Sequence, residues 1–461
     1  MSPGWVNDEN AALLTDLYQL TMLQAYHREG LNGIAVFDLF VRRLRERNYL
    51  IACGLDSVLH YLEHLHFSQE ALDYLSTLPM FKPEFLDWLS GFRFEGDVYA
   101  IPEGTPVFAD EPILQVVAPL PQAQLIETFV LNQITYQTGI ASKASRVIHA
   151  AQGRTVVDFG LRRMQGTDAG MKAVRASYVA GIEATSNVLA AKVYGLPPTG
   201  TMAHSYVEVH DLEEDAFSAF AELYPGTTLL VDTYDTLQAV RRTVALHKLL
   251  GDRFHVGAIR LDSGDMAELA HEARIILDEG GLEHVKIVAS GSLDEFAIAE
   301  MLARKAPIDG FGVGTKLGTV ADRPYLDSVY KLAEYNGKAR MKLSKRKSNL
   351  PGRKQVYRFF EQGRMVRDVI TAYDEPSDGT PLLQCVMKGG RRTAAGTVTL
   401  EQARAHARDS LRQLPDHLLS LEETDRPYPV EVSHRLRETL SRLEDELEAK
   451  ASQIVNPSDI A

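Results

Sequence analysis

The stretch VGAIRLDSGD, residues 256–265, shows the pattern that decides the fold: a short apolar run that stops in a cluster of glycine and polar residues. This pattern occurs six times between residues 154 and 317, and helix-like stretches separate most of its copies. The alternation of strand, loop and helix predicts parallel strands, which need crossover connections. We expect a central irregular β/α barrel, whose loops after the strands build one active site. The runs end in DFGLRR (158–163), GTMAHS (200–205), DTYD (232–235), RLDSGD (260–265), SGS (290–292) and GVGT (312–315).

Two different patterns flank this series. The first 150 residues contain helical stretches at 13–26 and 54–64, an aromatic strand at 35–41, short β-like segments at 94–117 and a long helix at 124–150. After the series come a strand-like segment at 328–335, a hairpin turning at Gly363 and two charged helices within 400–452. The simplest α/β architecture has a barrel at 151–325, with helices at 169–194, 235–250 and 266–279. Residues 1–150 and 326–461 then build one discontinuous α+β domain.

The bulk composition excludes several classes of protein. The chain has 461 residues, 45% hydrophobic and 24% charged, which is ordinary for a soluble protein of two or three domains. A net charge of -13 argues against nucleic-acid or membrane-surface binding, because polyanions would repel it. Its two cysteines, Cys53 and Cys385, exclude a disulfide scaffold and a Cys₄ zinc site. Without a signal-peptide pattern or a spanning apolar run, we expect a cytoplasmic protein.

His204 lies in the second strand-end segment, after Gly200 and Thr201. A lone histidine is more often structural than catalytic, although imidazole supplies acid-base chemistry near neutral pH. The position at a predicted strand end favours catalysis. Asp232 follows the next predicted strand, so barrel geometry would bring its carboxylate beside the imidazole.

The segment RLDSGD places Arg260, Asp262 and Asp265 around a Ser-Gly turn. Asp262 is suited to accept sugar hydroxyls or to hold Mg²⁺, and Arg260 to make a forked contact with a carboxylate or phosphate. The alternative is a capped helix start, with Asp262 or Ser263 as N-cap and Asp265 in the first turn. Both interpretations hold together if the cap fixes the loop.

The two late glycine-rich segments, at 290–292 and 310–315, favour a phosphate site. Loops after late barrel strands often bind phosphate through backbone N–H groups, although glycine is also the default turn residue. Lys331 and the basic stretch at 338–358 either add charge for a polyphosphate or form a solvated loop. The residues alone therefore predict a barrel enzyme acting on an anionic, phosphorylated sugar, and they leave the reaction open.

Nine segments in order resemble the nicotinate phosphoribosyltransferase family, over nearly the whole chain. They are LLTDLYQLTM, YQTGIASKASR, VVDFGLRR, GIEATSNVLAAKVYG, GTMAHS, LLVDTYDTL, IRLDSGD, VASGSLDE and GFGVGTKLGT. The resemblance implies that nicotinate and 5-phosphoribosyl 1-diphosphate give nicotinate mononucleotide and diphosphate, in NAD salvage. It also implies Mg²⁺, and ATP as co-substrate hydrolysed through a phosphohistidine. The alternatives are a nicotinamide or quinolinate counterpart and a catalytically silent phosphoribosyl-binding regulator.

The matching motifs carry the family's roles onto this chain. The resemblance implies catalytic roles for His204, as the phosphorylated residue, and for Asp232 and Asp262, with Asp262 also near Mg²⁺. The implied nicotinate-binding residues are Tyr18, Phe159, Thr201, Ser186 and Arg260. The implied phosphoribosyl-binding residues are Arg162, Gly291, Gly314 and Thr315. Tyr18 would come from the neighbouring subunit of a homodimer, and Ser186 stands where nicotinamide-using relatives carry Asp.

Overall fold

The computed structural model describes residues 4–343 and 349–451, and the chain divides into two compact units. The first unit comprises residues 1–138 and 325–461, and the second comprises residues 139–324. The strands, numbered along the chain, are β1 (Ile34–Val41), β2 (Leu50–Ile51), β3 (Asp97–Ala100), β4 (Pro106–Val107), β5 (Leu114–Pro119), β6 (Thr155–Asp158), β7 (Ala184–Thr185), β8 (Thr228–Leu230), β9 (Ala258–Leu261), β10 (Lys286–Ala289), β11 (Gly310–Val313), β12 (Ser328–Tyr335), β13 (Lys338–Ala339), β14 (Lys354–Glu361), β15 (Arg364–Ala372), β16 (Thr380–Pro381), β17 (Gln384–Lys388), β18 (Arg391–Arg392) and β19 (Val430–Val432). The α-helices are α1 (Leu17–Glu29), α2 (Leu55–His64), α3 (Gln69–Ser76), α4 (Pro83–Ser90), α5 (Leu120–Leu125), α6 (Glu127–Ala150), α7 (Thr167–Val179), α8 (Val188–Tyr194), α9 (His204–Glu208), α10 (Glu213–Leu223), α11 (Thr236–Leu250), α12 (Met266–Glu279), α13 (Glu295–Ala303), α14 (Thr315–Gly318), α15 (Leu400–Arg412) and α16 (His434–Ala451).

Six parallel strands form the sheet of the second unit, in the order β7-β6-β11-β10-β9-β8. Helices connect the strands, as the alternating pattern requires. The predicted α/β fold with a parallel β/α series is therefore confirmed. The edge strands β7 and β8 do not pair with each other within the described residues, so the backbone ladder gives an open, half-barrel sheet.

Two predictions within this series are wrong. The helix predicted at 169–194 is interrupted by β7, which has two residues and is too short to show the alternation of a strand. The strand predicted before Gly200 is also absent, since Pro198 makes only an isolated bridge to Thr185. Pro197 and Pro198 have no backbone N–H, so they cannot extend a ladder in both directions. The segment GTMAHS therefore follows a single bridge beside β7 rather than a strand.

The first unit is built from both ends of the chain. Its seven-stranded sheet has the order β13-β12-β1-β5-β3-β17-β18, so strands from the C-terminal segment lie on either side of β1, β5 and β3. The pairing of β1 with β12 stacks Phe37 on Tyr330, with ring centroids 4.9 Å apart. Interleaving of this kind confirms the predicted discontinuous α+β domain.

Several local predictions for this unit hold, with shifted bounds. The predicted strand at 35–41 is β1, and the predicted hairpin is β14 and β15, which turn at Gly363. The first helix begins at Leu17 instead of residue 13, after a 3₁₀ turn at Ala11–Leu13. The two C-terminal helices are α15 and α16, and residue 452 lies outside the described residues.

The basic stretch at 338–358 has a structural role in its second half. Lys354 is buried against Asp38 at 2.6 Å, and Arg358 is buried against Asp368 at 2.6 Å. These cations face inward from β14 and must be paired there, so the suggestion that they serve a polyphosphate is wrong. Residues 345–347 of the same stretch lie outside the described residues. No helix in the described ranges has the length and apolar character needed to cross a bilayer.

Candidate active site

Polar residues gather at the carboxyl ends of the parallel strands in the second unit. Asp158 ends β6, Asp262 follows β9, Ser290 follows β10 and Gly314 follows β11, while Asp232 stands two residues after β8. Because the strands are parallel, all five residues belong to the same edge of the sheet. The segments singled out in the sequence therefore converge, although one of them was assigned to a strand that does not exist.

Three aspartates at this edge each accept a hydrogen bond from a hydroxyl group at the end of an adjacent strand. Thr185 Oγ1 donates to Asp158 Oδ2 at 2.7 Å, and Ser263 Oγ donates to Asp232 Oδ2 at 2.5 Å. Ser290 Oγ donates to Asp262 Oδ1. These hydroxyl donors were not predicted as site residues. Their only sequence signal is a Ser or Thr within two residues of a strand end.

The second carboxylate oxygen of Asp232 lacks a hydrogen-bond partner in the described part of the chain. Asp232 Oδ1 is buried and has no hydrogen-bond partner among the described residues. A buried carboxylate oxygen without a partner is costly, so it marks a place where a donor or a cation would be favourable. This orphaned atom makes Asp232 a candidate ligand-contacting residue.

His204 is half-buried at the start of the short helix α9. Its Nδ1 lies 3.2 Å from Thr233 Oγ1, so the residue that holds the imidazole is the neighbour of Asp232 rather than Asp232 itself. Within the described part of the chain this is the hydrogen bond that the ring makes, and it leaves Nε2 available. When Nδ1 carries the proton, Nε2 has a free lone pair and can act as a base or a nucleophile.

Arg260 is the cation of this site. Its Nη2 donates to the Met202 carbonyl at 3.3 Å, while its buried Nε has no partner among the described residues. Burial lowers the pKa of Arg260, and the carboxylates of Asp262 and Asp232 oppose that shift. A partly buried guanidinium with an unused N–H is suited to bind an anion.

Two of these contacts, from Arg260 to Met202 and between His204 and Thr233, connect the two edge regions of the open sheet. The segment containing Met202 and His204 follows the bridge beside β7, whereas Thr233 follows β8 at the opposite edge. The bonds from Arg260 to Met202 and from Thr233 to His204 therefore span the gap that the backbone ladder leaves open. Side-chain contacts at the carboxyl ends of the strands therefore link the two edges of the sheet.

Phe159 supplies the aromatic wall. The Arg260 guanidinium carbon lies 6.0 Å from its ring centroid, and a Cβ added at Gly312 would stand 2.5 Å from the ring. Ser186, which follows β7, donates its backbone N–H to the Asp158 carbonyl at 2.9 Å. Burial raises the pKa of Asp158, and the hydrogen bonds from Thr185 and Gly160 act in the opposite direction. Asp158 thus fixes the loop geometry on both sides of Phe159.

The predicted phosphoribosyl-binding residues lie at the ends of β6, β10 and β11. Gly291 has a φ of +89°, and a Cβ there would overlap the Asp262 carbonyl oxygen. Gly314 precedes α14, where Thr315 begins the helix, and a Cβ on Gly314 would stand 2.9 Å from the Phe159 carbonyl oxygen. Arg162 is exposed on the 3₁₀ helix Leu161–Arg163. The two glycines therefore allow close packing between neighbouring loops.

The helix after β9 has a different N-cap residue from those that the sequence suggested. Asp265 is the N-cap of α12, because its carboxylate accepts the backbone N–H of Glu268 at 3.0 Å. The suggested caps Asp262 and Ser263 bond instead to Ser290 and Asp232. The carboxylate that caps the helix, Asp265, is therefore distinct from the site carboxylate, Asp262.

Two predicted site residues, Thr201 and Tyr18, have contacts other than those described above. Thr201 is half-buried and donates to the Met202 carbonyl at 3.2 Å. Tyr18 lies on α1 of the first unit, 48% exposed, and its hydroxyl donates to Glu127 at 3.3 Å. Burial and the nearby Glu127 carboxylate raise the pKa of Tyr18 to about 12, so the phenol stays neutral.

A cavity of about 560 Å³ lies elsewhere, in the first unit, between the ring of Tyr428 and the ion pair of Asp38 and Lys354. None of the predicted site residues lines it. The candidate site is therefore identified by its charges and strand-end geometry rather than by cavity size.

Comparisons with known proteins show the family to which the chain is similar. Residues 13–135 match the nicotinate phosphoribosyltransferase (NAPRTase) N-terminal domain, and residues 155–372 match the nicotinate phosphoribosyltransferase (NAPRTase) family. Nicotinate phosphoribosyltransferase pncB2 of Mycobacterium tuberculosis is 53% identical over 433 residues, which cover 94% of each chain. Nicotinate phosphoribosyltransferase of Bacillus subtilis is 41% identical over 80% of this chain and 77% of its own. The crystal structure of human nicotinic acid phosphoribosyltransferase superimposes with a TM-score of 0.81 and 28% identity, covering 93% of this chain and 99% of the human chain.

Proposed function

The chain belongs to the nicotinate phosphoribosyltransferase family, and we propose on this basis that it forms nicotinate mononucleotide and diphosphate from nicotinate and 5-phosphoribosyl 1-diphosphate. The product would serve NAD salvage, and ATP would be hydrolysed in the same cycle. The observation that carries the proposal is the half-buried Arg260, whose unused Nε lies at a site with the Phe159 ring and two aspartates. The guanidinium, the aromatic ring and the carboxylates suit the binding of a planar aromatic acid and a phosphorylated sugar.

Nicotinate would be held by its ring and by its charge. Phe159 offers a face for the electron-poor pyridine ring, and Arg260 offers a forked contact to the carboxylate. Thr201 and Ser186 add neutral hydroxyl groups, which do not repel an acid as a carboxylate would. The site would therefore favour nicotinate over its amide.

The phosphoribosyl group would lie over the carboxylates. Bond breaking at the anomeric carbon develops positive charge, as in glycoside chemistry, and Asp262 and Asp232 would stabilise it. Gly291, Gly314, Thr315 and Arg162 would hold the phosphate of the donor at the ends of β6, β10 and β11. Nicotinate nitrogen then forms the new C–N bond while the C–O bond to diphosphate breaks.

A hard cation fits the oxygen donors of this site. Asp262 presents a carboxylate, and the orphaned Oδ1 of Asp232 is a second oxygen of the same kind. We expect Asp262 to contact Mg²⁺, which when bound would neutralise the charge of departing diphosphate. The residues of the chain orient the donor, while Ser290 keeps the Asp262 carboxylate in place.

ATP coupling would use His204. Its Nε2 lone pair would attack the γ-phosphorus of ATP, forming a P–N bond as the P–O bond to ADP breaks. A hydrogen bond donated by Nδ1–H to the Thr233 hydroxyl oxygen would keep the reactive tautomer. Water would later cleave the P–N bond and release phosphate. A phosphate on His204 adds negative charge beside Arg260 and would change affinity for the phosphoribosyl donor.

The proposal includes a cytoplasmic homodimer with shared sites. Tyr18 is half-exposed, and Leu14 and Leu17 beside it are exposed apolar side chains. Such a surface suits a second copy of this chain, whose Tyr18 would stack on nicotinate opposite Phe159. Cys53 and Cys385 are not joined in a disulfide, which is compatible with a reducing compartment.

The experiment that tests coupling uses γ-labelled ATP. Wild type should gain an acid-labile label and lose it when nicotinate and the phosphoribosyl donor are added, whereas His204→Ala should remain unlabelled. His210→Ala is the matched control, because this nearby histidine bonds to the Tyr206 carbonyl instead of Thr233. Active wild-type enzyme without any label would refute the phosphohistidine.

Two further assays test substrate and assembly. Product formation should require nicotinate, and turnover with nicotinamide or quinolinate instead would reassign the substrate. Mixed dimers of Tyr18→Ala and Phe159→Ala subunits should recover part of the activity, because one site of each mixed dimer is intact. No recovery in verified mixed dimers would exclude shared sites.

A further inference from the structure

Three metal-ligating side chains meet on the surface of the first unit. Among the residues that the structure describes, Asp8, His60 and His64 form the one group of three whose ligand atoms all lie within 4.8 Å of one another. His60 and His64 stand one turn apart on α2, with ring centroids 4.2 Å apart. Asp8 comes from the segment that precedes α1. All three are exposed, so an ion can reach them.

A hydrogen bond selects the ligand atom on His64, and the spacing to Asp8 indicates the ligand atom on His60, whose Nε2 would lose its proton on binding an ion. His64 Nδ1 lies 2.8 Å from the His60 carbonyl, so it must carry the proton and Nε2 is the free ligand. Metal-binding histidines commonly donate their other ring N–H to a carbonyl in this way. His60 Nε2 lies 3.2 Å from Asp8 Oδ1. Two ligands bound about 2.1 Å from one ion are separated by about 3–3.4 Å, so this pair already has a suitable spacing.

We propose that Asp8, His60 and His64 bind a divalent transition-metal ion of the zinc class and fasten the N-terminal segment to α2. Two imidazoles and one carboxylate suit zinc and its neighbours, whereas Mg²⁺ prefers oxygen ligands. The site is therefore chemically distinct from the Mg²⁺ contact proposed at Asp262. Water would complete the coordination of the exposed ion.

The segment held by this ion leads directly into α1. Asp8 is the residue in it that pairs with His60, while Trp5 and Val6 before it are 65% and 54% exposed. Ala12, in the 3₁₀ turn that follows, is buried in the core of the unit. A metal crosslink from Asp8 to α2 would thus add a second attachment point to a segment that now has one buried anchor.

The test is Zn²⁺ binding to the full chain in excess Mg²⁺, measured by calorimetry. His60→Ala and His64→Ala should each remove one bound Zn²⁺ per chain, and Asp8→Asn should weaken that ion by at least about tenfold. The matched controls are His66→Ala and Glu9→Gln, a neighbouring pair 3.6 Å apart outside the cluster. Both controls should keep the wild-type stoichiometry. Unchanged Zn²⁺ binding in His60→Ala and His64→Ala would overturn the site.

A residue-resolved measurement guards against binding elsewhere. Zn²⁺ should protect His60 and His64 from diethyl pyrocarbonate in wild type, as mapped by mass spectrometry, and leave the exposed His434 reactive. Circular dichroism in metal-free buffer should show that the variants fold normally, because the replaced side chains are exposed. Equal reactivity of His60 with and without Zn²⁺ would also refute the proposal.

Discussion

Gly291→Ala should disable the site without unfolding the protein. Gly291 has a φ of +89°, and a Cβ there would overlap the carbonyl oxygen of Asp262 and stand 3.0 Å from its carbonyl carbon. Relief of that overlap requires the Asp262 loop to move by about an ångström. A displacement of this size at a reacting centre reduces the rate by about 100-fold, which corresponds to about 2.7 kcal/mol of transition-state stabilisation.

The chain offers a matched control on the other side of the same strand. Gly281 precedes β10 as Gly291 follows it, and its φ of +75° demands the same left-handed backbone, but an added Cβ there meets nothing within 4 Å. Backbone strain should therefore cost each variant about 1–2 kcal/mol of unfolding free energy, and the overlap with Asp262 adds to that cost in Gly291→Ala alone. Only Gly291→Ala should lose kcat/KM for the phosphoribosyl donor.

The assay combines urea unfolding with steady-state kinetics on both variants. A folded Gly291→Ala enzyme with wild-type kcat/KM would show that the packing of Gly291 on Asp262 does not position the reacting groups. An equal loss of activity in Gly281→Ala would assign the effect to general strain in the second unit. Either result refutes the reasoning.

Substitutions at three further positions probe charge and stacking. Ser186→Asp should lower kcat/KM for nicotinate at least about tenfold by like-charge repulsion, whereas the neutral Ser186→Asn should lose less; equal losses would point to size instead. Burial and the adjacent Asp368 carboxylate raise the pKa of Glu111, so the folded state holds its proton and stability falls as pH rises above about 4.3. Relative to Glu111→Gln, wild type should lose up to about 1.4 kcal/mol per pH unit in urea unfolding until the folded pKa is passed, and parallel profiles would exclude this titration. Tyr18→Phe should keep KM for nicotinate, because the hydroxyl bonds to Glu127 and Gln19 of its own chain, while Tyr18→Ala should raise KM about two- to tenfold; a defect in the Phe variant would contradict stacking as its role.

Strong local signals made parts of the fold predictable. The helix at 266–279 was predicted with its observed bounds, because an apolar face of helical period lies between the turn at Asp265 and the glycines after Glu279. The strand β1 combines branched and aromatic residues over eight positions, and the hairpin around Gly363 has a turn residue between two apolar strands. Each of these elements is long enough for its own periodicity to specify it.

Short elements escaped prediction because their structure comes from neighbours. The two residues of β7 are a strand only because β6 accepts and donates beside them, and nothing in Ala184-Thr185 distinguishes them from a helix. The segment before Gly200 was predicted to be a strand and is not one, because Pro197 and Pro198 allow an isolated bridge but no ladder. His204 nevertheless lies near the carboxyl ends of the strands, because its Nδ1 contacts Thr233, which follows β8.

The partner of His204 shows a similar limit. The position of Asp232 after a strand was read from the sequence, but the contact to the imidazole is made by Thr233, one residue later. Which of two consecutive residues points into a site depends on the backbone dihedral angles of the loop, and no pattern in DTYD fixes them. The neighbourhood was predictable from topology, whereas the contacting atom was not.

The site carboxylates differ physically from the structural carboxylates of the same chain. In the first unit, buried Asp38 and Asp368 are paired with Lys354 and Arg358, so their charge is compensated. At the strand ends, the aspartates that follow β8 and β9 are held by serine hydroxyls from neighbouring strands, and neither has a salt bridge within the described residues.

A hydroxyl donor fixes the orientation of a carboxylate and leaves its negative charge largely intact, because the donor brings no opposite charge. A lysine in place of that hydroxyl donor would still orient the carboxylate, but its positive charge would offset the negative charge of the carboxylate. Ser263 and Ser290 lie 31 and 28 residues from their partners in the chain, so this pairing exists only once the strands are adjacent. Negative charge that is fixed in place and not held in a direct ion pair is what a developing oxocarbenium centre or a cation requires. The order of the strands therefore brings each hydroxyl to its carboxylate, and the catalytic role proposed for Asp232 and Asp262 depends on that order.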